Sequence, residues 1–368
     1  MMSSVLFLLL PLATYSGWLL GRRLFTVETL RKVFRLETNA PPAYQRSEIK
    51  QDVETHLALG GLFRRRGELD KAVGIHQQLV DQNSLTVEQR ALSLLELSRD
   101  YMRAGMLDRA EVLLLDLSEQ AHDLNAVFSL LLDVYQQSKD WIRAIQTAEQ
   151  WQAKTNRDMR YHIAHYHCEL AERQWLKGDR SEAIQHIKTA LGVNARCVRA
   201  GLLWANIEAQ AGHFEQAIEI YQNIYVQDQL FLAEIVVSLA RCYDALANPE
   251  GMVHYCDHHL QKRMSTVSVL ALSEWIYQHK GVDAAKAFLV QHLQEHPSLG
   301  GLHRLMQWTP LRPGDSSQPD LKLFQVLVEK MLVDKPLYQC EACGFSGRTL
   351  QWQCPSCKRW DVIKPVDE

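Results

Sequence analysis

The sequence predicts a mainly α-helical protein with a small metal-binding tail, and three observations carry that prediction. From about Glu48 to Gly300 apolar residues recur at helical spacing, with little proline and no alternating strand pattern. Within that stretch a short motif returns with a period of about 34 residues. Close to the end, Cys340 and Cys343, then Cys354 and Cys357, form two Cys-x-x-Cys pairs.

Composition narrows the function. The chain has 368 residues, 47% hydrophobic and 23% charged, an ordinary globular balance with room for more than one domain. A net charge of −3 supplies no global basic field, which argues against nucleic acid as the main partner. Cys168, Cys197, Cys242 and Cys256 follow no framework spacing and read as buried thiols of a reducing compartment. The sequence holds no nucleotide-binding glycine loop, nucleophile elbow, His-Glu-x-x-His helix or paired-carboxylate arrangement, so it reads as non-enzymatic.

Residues 1–21 come first. Val5-Leu6-Phe7-Leu8-Leu9-Leu10-Pro11-Leu12 and Trp18-Leu19-Leu20 carry no charge, and the stretch is long enough to span a bilayer as a single transmembrane helix. A removed leader needs basic residues before the apolar run, and Met1 to Ser4 has none. Arg22, Arg23, Arg31, Lys32 and Arg35 follow it instead. The positive-inside rule then puts the N-terminus outside and the bulk of the chain in the cytoplasm, beyond a juxtamembrane linker at 22–47.

The repeats occupy 48–308. Gly67-Glu-Leu-Asp-Lys-Ala72, Gly105-Met-Leu-Asp-Arg-Ala110, Gly178-Asp-Arg-Ser-Glu-Ala183 and Gly212-His-Phe-Glu-Gln-Ala217 share glycine and, five positions on, alanine; Lys139-Asp-Trp-Ile-Arg-Ala144 keeps only the alanine. Glycine ends one helix and alanine lets the next approach closely, the turn of a tetratricopeptide repeat. Twelve residues before four of the alanines stand Gly60, Ser98, Ala171 and Ala205, each after a large apolar residue (Leu59, Leu97, Leu170, Trp204), with Tyr101 and Tyr135 at the aromatic position. Weaker copies at Leu246 to Gly251 and Gly281 to Lys286 bring the expected count to about seven. Such a solenoid presents a concave surface to protein partners. Arg64-Arg65-Arg66 is expected to cap a helix C-terminus or to face anionic lipid. His162, His165, His167 and Cys168, and likewise Cys242, His254, Cys256, His258 and His259, are rich in ligand types but read as packing residues, their spacing fitting no metal motif.

The segment 309–335 contains Pro310, Pro313 and Pro319, which end the solenoid, and then Leu321, Phe324, Leu327, Val328, Met331 and Leu332 at helical spacing, a helix expected to dock the tail. The tail itself, 336–368, is too short to bury a core. Two thiolates from each tight turn can complete a tetrahedral sulfur shell for one ion, iron or zinc, whose binding folds the tail. The tail is expected to lock the solenoid's C-terminal end, with Trp352 and Trp360 packing on a neighbour. Gly344 follows Cys343 but Lys358 follows Cys357, so the second turn lacks its glycine.

The anchor, the repeats and the tail, Tyr338-Gln-Cys340-Glu-Ala-Cys343-Gly-Phe345 and Trp352-Gln-Cys354-Pro-Ser-Cys357-Lys-Arg-Trp360, together resemble the lipopolysaccharide assembly protein B family of Gram-negative bacteria over essentially the whole chain. The resemblance implies an inner-membrane adaptor with a rubredoxin-like tail, its metal ligands at Cys340, Cys343, Cys354 and Cys357. It implies work with the membrane protease FtsH in controlling degradation of the deacetylase LpxC, contact with lipopolysaccharide synthesis and transport proteins, and leaves self-association open. The missing glycine departs from electron-carrying rubredoxins and weighs against a redox role. Two rival readings remain at this point: an iron-tetrathiolate electron carrier and a nucleic-acid-binding zinc ribbon.

Overall fold

The computed structural model describes residues 53–83, 85–120, 123–259, 265–309, 318–333 and 335–366. The expected anchor (1–21) and juxtamembrane linker (22–47) lie outside the described residues. Among the described residues no helix is long and apolar enough to cross a membrane.

Helix-turn-helix pairs follow one another along the chain. They are α1 (Val53–Arg66) with α2 (Leu69–Val80), α3 (Val87–Arg103) with α4 (Leu107–Gln120), α5 (Leu124–Gln137) with α6 (Trp141–Thr155), α7 (Arg160–Leu176) with α8 (Arg180–Val193), α9 (Val198–Gln210) with α10 (Phe214–Gln227), α11 (Leu232–Ala245) with α12 (Pro249–His259), and α13 (Thr266–Lys280) with α14 (Val282–Glu295). A single 3-10 turn, Gln229–Phe231, precedes α11; α15 (Leu299–Trp308) and α16 (Gln318–Val333) follow the last pair.

The turn within each pair explains the repeat. Gly67, Gly105, Gly178 and Gly212 have φ between 74° and 85°, and Lys139 (54°) and Ala247 (49°) adopt the same left-handed conformation without being glycine. Each turn then makes the same six-to-one backbone bond: Glu68 N to Phe63 O, Met106 N to Tyr101 O, Asp140 N to Tyr135 O, Asp179 N to Gln174 O, His213 N to Glu208 O and Asn248 N to Tyr243 O, all 2.8–3.0 Å. These are Schellman closures, in which the left-handed residue lets the chain satisfy the last helical carbonyls. The degenerate copy near Leu246 is thereby a true repeat, and Gly281 (φ 85°) turns the chain into α14.

Packing follows the small residues. Ala72, Ala110, Ala144, Ala183 and Ala217 are fully buried, and so are Ser98, Ala171 and Ala205 opposite them. At Gly60 the fit is tightest, because a Cβ there would lie 2.4 Å from His76 Nε2. Leu97 and Leu170 are buried as expected, whereas Leu59 is 39% exposed. The Tyr101 and Tyr135 hydroxyls donate to Gln77 (3.4 Å) and Glu111 (2.9 Å) of the preceding second helices, which ties one pair to the next.

Arg64 has a second role besides its place at the end of α1. Its guanidinium donates to Glu96 (2.6 Å) and Asp100 (2.8 Å) of α3, and the fully buried Asp100 also binds His76. The arginine is thus part of a tertiary ion network, while Arg64, Arg65 and Arg66 together occupy the last turn of α1, where their charge suits the helix dipole. A buried carboxylate of this kind needs such partners to be tolerated at all.

First helices of successive pairs pack directly on one another, α1 on α3, α3 on α5, α7 on α9, α9 on α11 and α11 on α13, while no contact of comparable extent joins successive second helices. First helices therefore form the inner wall of the solenoid. α5 and α7 approach each other less closely than the rest.

The helix expected to dock the tail is present as α16, but its apolar stripe faces outward. Leu323, Phe324, Leu327 and Met331 are 48–59% exposed, and Val328 alone among the described side chains of α16 is buried. The tail reaches the solenoid without it.

Gly60→Ala is expected to lower stability by about 1–3 kcal/mol through overpacking against His76. Thermal unfolding of this variant combined with His76→Ala checks the mechanism: the double change should cost less than the sum of the single ones.

Candidate metal centre and its docking site

After α16 the chain forms a three-stranded antiparallel sheet in the order β2-β1-β3, with β1 (Tyr338–Cys340), β2 (Ser346–Gly347) and β3 (Ile363–Pro365). Two tight turns hang from it and are built alike. In the first, Cys340 N donates to Phe345 O (2.7 Å) and Gly344 N to Cys340 O (2.9 Å); in the second, Cys354 N donates to Arg359 O (2.8 Å) and Lys358 N to Cys354 O (2.9 Å). Gly344 has φ 76° and Lys358 φ 60°. The lysine thus takes the left-handed conformation its glycine counterpart takes, and the missing glycine does not alter the turn. Lys358 in place of glycine therefore does not weigh against a redox role.

The four sulfurs converge. Cys340 and Cys357 are 3.7 Å apart, Cys343 and Cys354 likewise, and all four lie within 4.8 Å of one another. A tetrahedral ion with sulfur ligands at about 2.3 Å sets sulfur–sulfur edges of about 3.8 Å. Disulfides would need about 2.05 Å. Cys340, Cys343, Cys354 and Cys357 could therefore hold one ion without rearrangement, and an all-sulfur shell suits zinc or iron, not an oxygen-seeking cation.

The thiols are electrostatically unequal. The Phe345 amide, pointing at the exposed Cys343 sulfur, draws that thiol down to about 6. Cys357 receives the Arg359 amide, yet desolvation and the other three sulfurs push it up to about 11. Four sulfurs so close cannot all be thiolates unless a cation replaces their protons.

Two tryptophans fix the domain to the solenoid, and they do so on the inner wall of its middle, not at its C-terminal end. Trp360 is buried between α5, α6 and α7. Its ring stacks on His165 (centroids 5.1 Å), meets Trp141 (6.2 Å) and Tyr166 (5.9 Å) edge-on, and its Nε1 donates to Gln136 Oε1 (2.9 Å). Gln353 Nε2 donates to the same oxygen (2.7 Å). The Arg199 guanidinium lies 5.7 Å from the Trp360 ring, held there by Glu169 and Glu172, each at 2.8 Å. Trp352 stacks on Phe231 (5.6 Å), Lys364 Nζ lies 4.6 Å from the centroid of the same Phe231 ring and 3.5 Å from Asp228, and the Tyr338 hydroxyl donates to Glu234. The two tryptophans pack as expected from sequence.

Gln136, Arg199, Phe231 and Glu234 had no sequence signal. Gln136 and Trp360 are 224 residues apart, and no local spacing announces so distant a contact. The histidine cluster is dispersed: His165 serves the tail, while His167 Nδ1 faces His186 Nδ1 at 3.2 Å. Cys168 meets Cys197, sulfur to sulfur, at 3.9 Å, a pairing that sequence spacing did not suggest.

A model of the family described as rubredoxin metal binding domain matches residues 338–365, and one for the tetratricopeptide repeat matches residues 55–88. Lipopolysaccharide assembly protein B of Escherichia coli is 32% identical, over 99% of this chain and 98% of its own length. The protein of the same name from Haemophilus influenzae is 32% identical over the same shares. The chain belongs to the lipopolysaccharide assembly protein B family. Among solved structures, a tetratricopeptide repeat protein from Parabacteroides merdae overlaps 70% of this chain and 98% of its own at 13% identity (TM-score 0.35), and MamA overlaps 49% and 97% at 17% identity (TM-score 0.31).

Two expectations follow from the site. Burial, aided by the Arg199 charge, presses His165 down to about 3. Released into water, the same imidazole titrates near 6.5, so the undocked state binds more protons between these values, and docking weakens as pH falls. Between pH 7 and pH 5 hydrogen-exchange protection of residues 338–365 should drop by about 2 kcal/mol, and His165→Gln should flatten that dependence. At the second turn, Lys358→Gly should slow metal loss to a chelator, whereas Gly344→Ala at the first should speed it, each by up to about thirtyfold, since a left-handed non-glycine residue costs about 1–2 kcal/mol.

Proposed function

We propose that this protein is a non-catalytic adaptor in lipopolysaccharide assembly, held in the bacterial inner membrane by residues 1–21 with its bulk on the cytoplasmic side. The observation that carries the reading is the end-to-end relationship to proteins named for lipopolysaccharide assembly, and the stacked helix pairs, a partner-binding architecture, support it. The repeats at 48–308, the connecting segment at 309–335 and the tail at 336–368 have separate tasks. Cys340, Cys343, Cys354 and Cys357 hold one iron or zinc ion, which folds the tail. The folded tail braces α5, α7, α9 and α11 from inside, and inner-wall surface of α1, α3 and α13 is left for partners.

The partners we assign are the membrane protease FtsH and its substrate LpxC. A tether confines adaptor and protease to one membrane plane, which raises their effective concentration with no added contact.

LpxC half-life in cells whose own copy is replaced by this chain tests the proposal. Wild type should keep LpxC short-lived. Deletion of residues 1–21, Trp360→Ala and the pair Cys340→Ser with Cys343→Ser should each lengthen its half-life several-fold at equal protein level, the last with loss of bound metal. LpxC turnover indifferent to the presence of the protein would refute the assigned partners, and equal regulation by the truncated form would refute the need for a tether.

A further inference from the structure

Two buried thiols lie on the helices that bring His165 and Arg199 to the Trp360 ring. Cys168 stands in α7 between His165 and Glu172, and Cys197 is the N-cap of α9, two residues before Arg199. Their sulfurs, 3.9 Å apart, are embedded in a small-residue core of Ala164, Ala171, Ala183, Ile187 and Ala200. Hydrogen bonding to Cys197 and burial keep the Cys168 thiol protonated, well above its ordinary range. The Cys197 thiol is lowered, by that same hydrogen bond and by the Ala200 and Arg199 amides at the start of α9. A thiolate-prone sulfur at a helix N-terminus with a second thiol in reach has the two roles that peroxide chemistry needs, a nucleophile and a resolving group. A surface cavity of about 320 Å³, lined by Asp158, Arg160, Tyr161, Val193, Asn194, Ala195 and Arg196, includes the turn that precedes Cys197 in the chain but not the cysteine itself. Both thiols are buried, so a partner must be as small as peroxide and enter when the turn before α9 opens locally.

We propose that Cys168 and Cys197 form an oxidisable dithiol, with hydrogen peroxide as oxidant, whose closure loosens the seat of the metal tail. Cys197 sulfur attacks one peroxide oxygen, the O–O bond breaks, water leaves, and a sulfenic acid remains. Cys168 sulfur then attacks Cys197 sulfur; the S–S bond forms and the hydroxyl departs with the Cys168 proton as a second water. Two thiols lose two electrons and one peroxide gains them. Closing 3.9 Å to the length of a disulfide shortens the gap by about 1.9 Å. The pull falls on α7 and the first turn of α9, which carry His165 and Arg199, the two groups set against the Trp360 ring.

The full, metal-loaded chain in detergent, exposed to hydrogen peroxide, alkylated under denaturing conditions and mapped by peptide mass, tests this. The expected result is a Cys168–Cys197 linked peptide, reversed by dithiothreitol and formed at least tenfold faster than oxidation of Cys242. In Cys168→Ala, Cys197 should stop at the sulfenic acid and be trapped by dimedone. Hydrogen exchange across residues 352–366 should quicken severalfold in the oxidised wild type and not in peroxide-treated Cys168→Ala, which keeps the same tail cysteines. Thiols at 168 and 197 that remain alkylatable after Cys242 has reacted overturn the site. A linked peptide with unchanged exchange at 352–366 overturns its coupling to the tail, and an unreactive Cys197 in Cys168→Ala overturns its role as nucleophile.

Discussion

The seating of Trp360 between α5, α6 and α7 is the contact on which the rest of this architecture depends. Removing a buried tryptophan typically costs about 3–5 kcal/mol, and here the indole also satisfies Gln136 and covers His165. It enters where successive first helices pack least closely, so the tail supplies the inner wall with a contact that the repeats do not make for themselves. A domain of this size has too little apolar surface to fold unaided. An ion held by the four sulfurs would therefore link its own binding to tail folding and docking: whatever favoured one would favour the others by the same free energy.

Polar groups buried along the inner wall make that linkage sensitive. Arg199 is 3% exposed, and its charge is tolerated because Glu169 and Glu172 hold it while the Trp360 face lies above it. His165 next to it is kept neutral by burial. Far from the tail, the Arg64, Asp100 and His76 network does the same for the first two pairs. Each such cluster is stable only when all its members are present, which fixes the register of neighbouring pairs more sharply than apolar packing alone. Cys168 and Cys197 share their helices with His165 and Arg199, so the proposed closure, by about 2 Å, would pull on both groups that face Trp360.

Much of this was legible because it is local. The Schellman turns need a left-handed residue and a small residue at fixed offsets, and both leave a periodic trace that survives even where Lys139 and Ala247 replace glycine. The four converging cysteines were legible for the same reason, since each pair sits within one turn. For Arg64 the helix-end position was legible and the tertiary role was not, because its partners Glu96 and Asp100 lie a full repeat away. The apolar stripe of α16 gave a correct helix and a wrong destination: periodicity states that a face is apolar, not what it meets.

The sequence by itself determined the helix pairs, their turns and the convergence of Cys340, Cys343, Cys354 and Cys357, because backbone sterics and ligand spacing act over a few residues. Only the tertiary structure decided that the tail folds back onto the middle of the inner wall, and that Gln136, His165, Arg199 and Phe231 receive it. Those contacts join residues more than a hundred positions apart, and they arise from the curvature of the stacked pairs, a property that no single repeat contains.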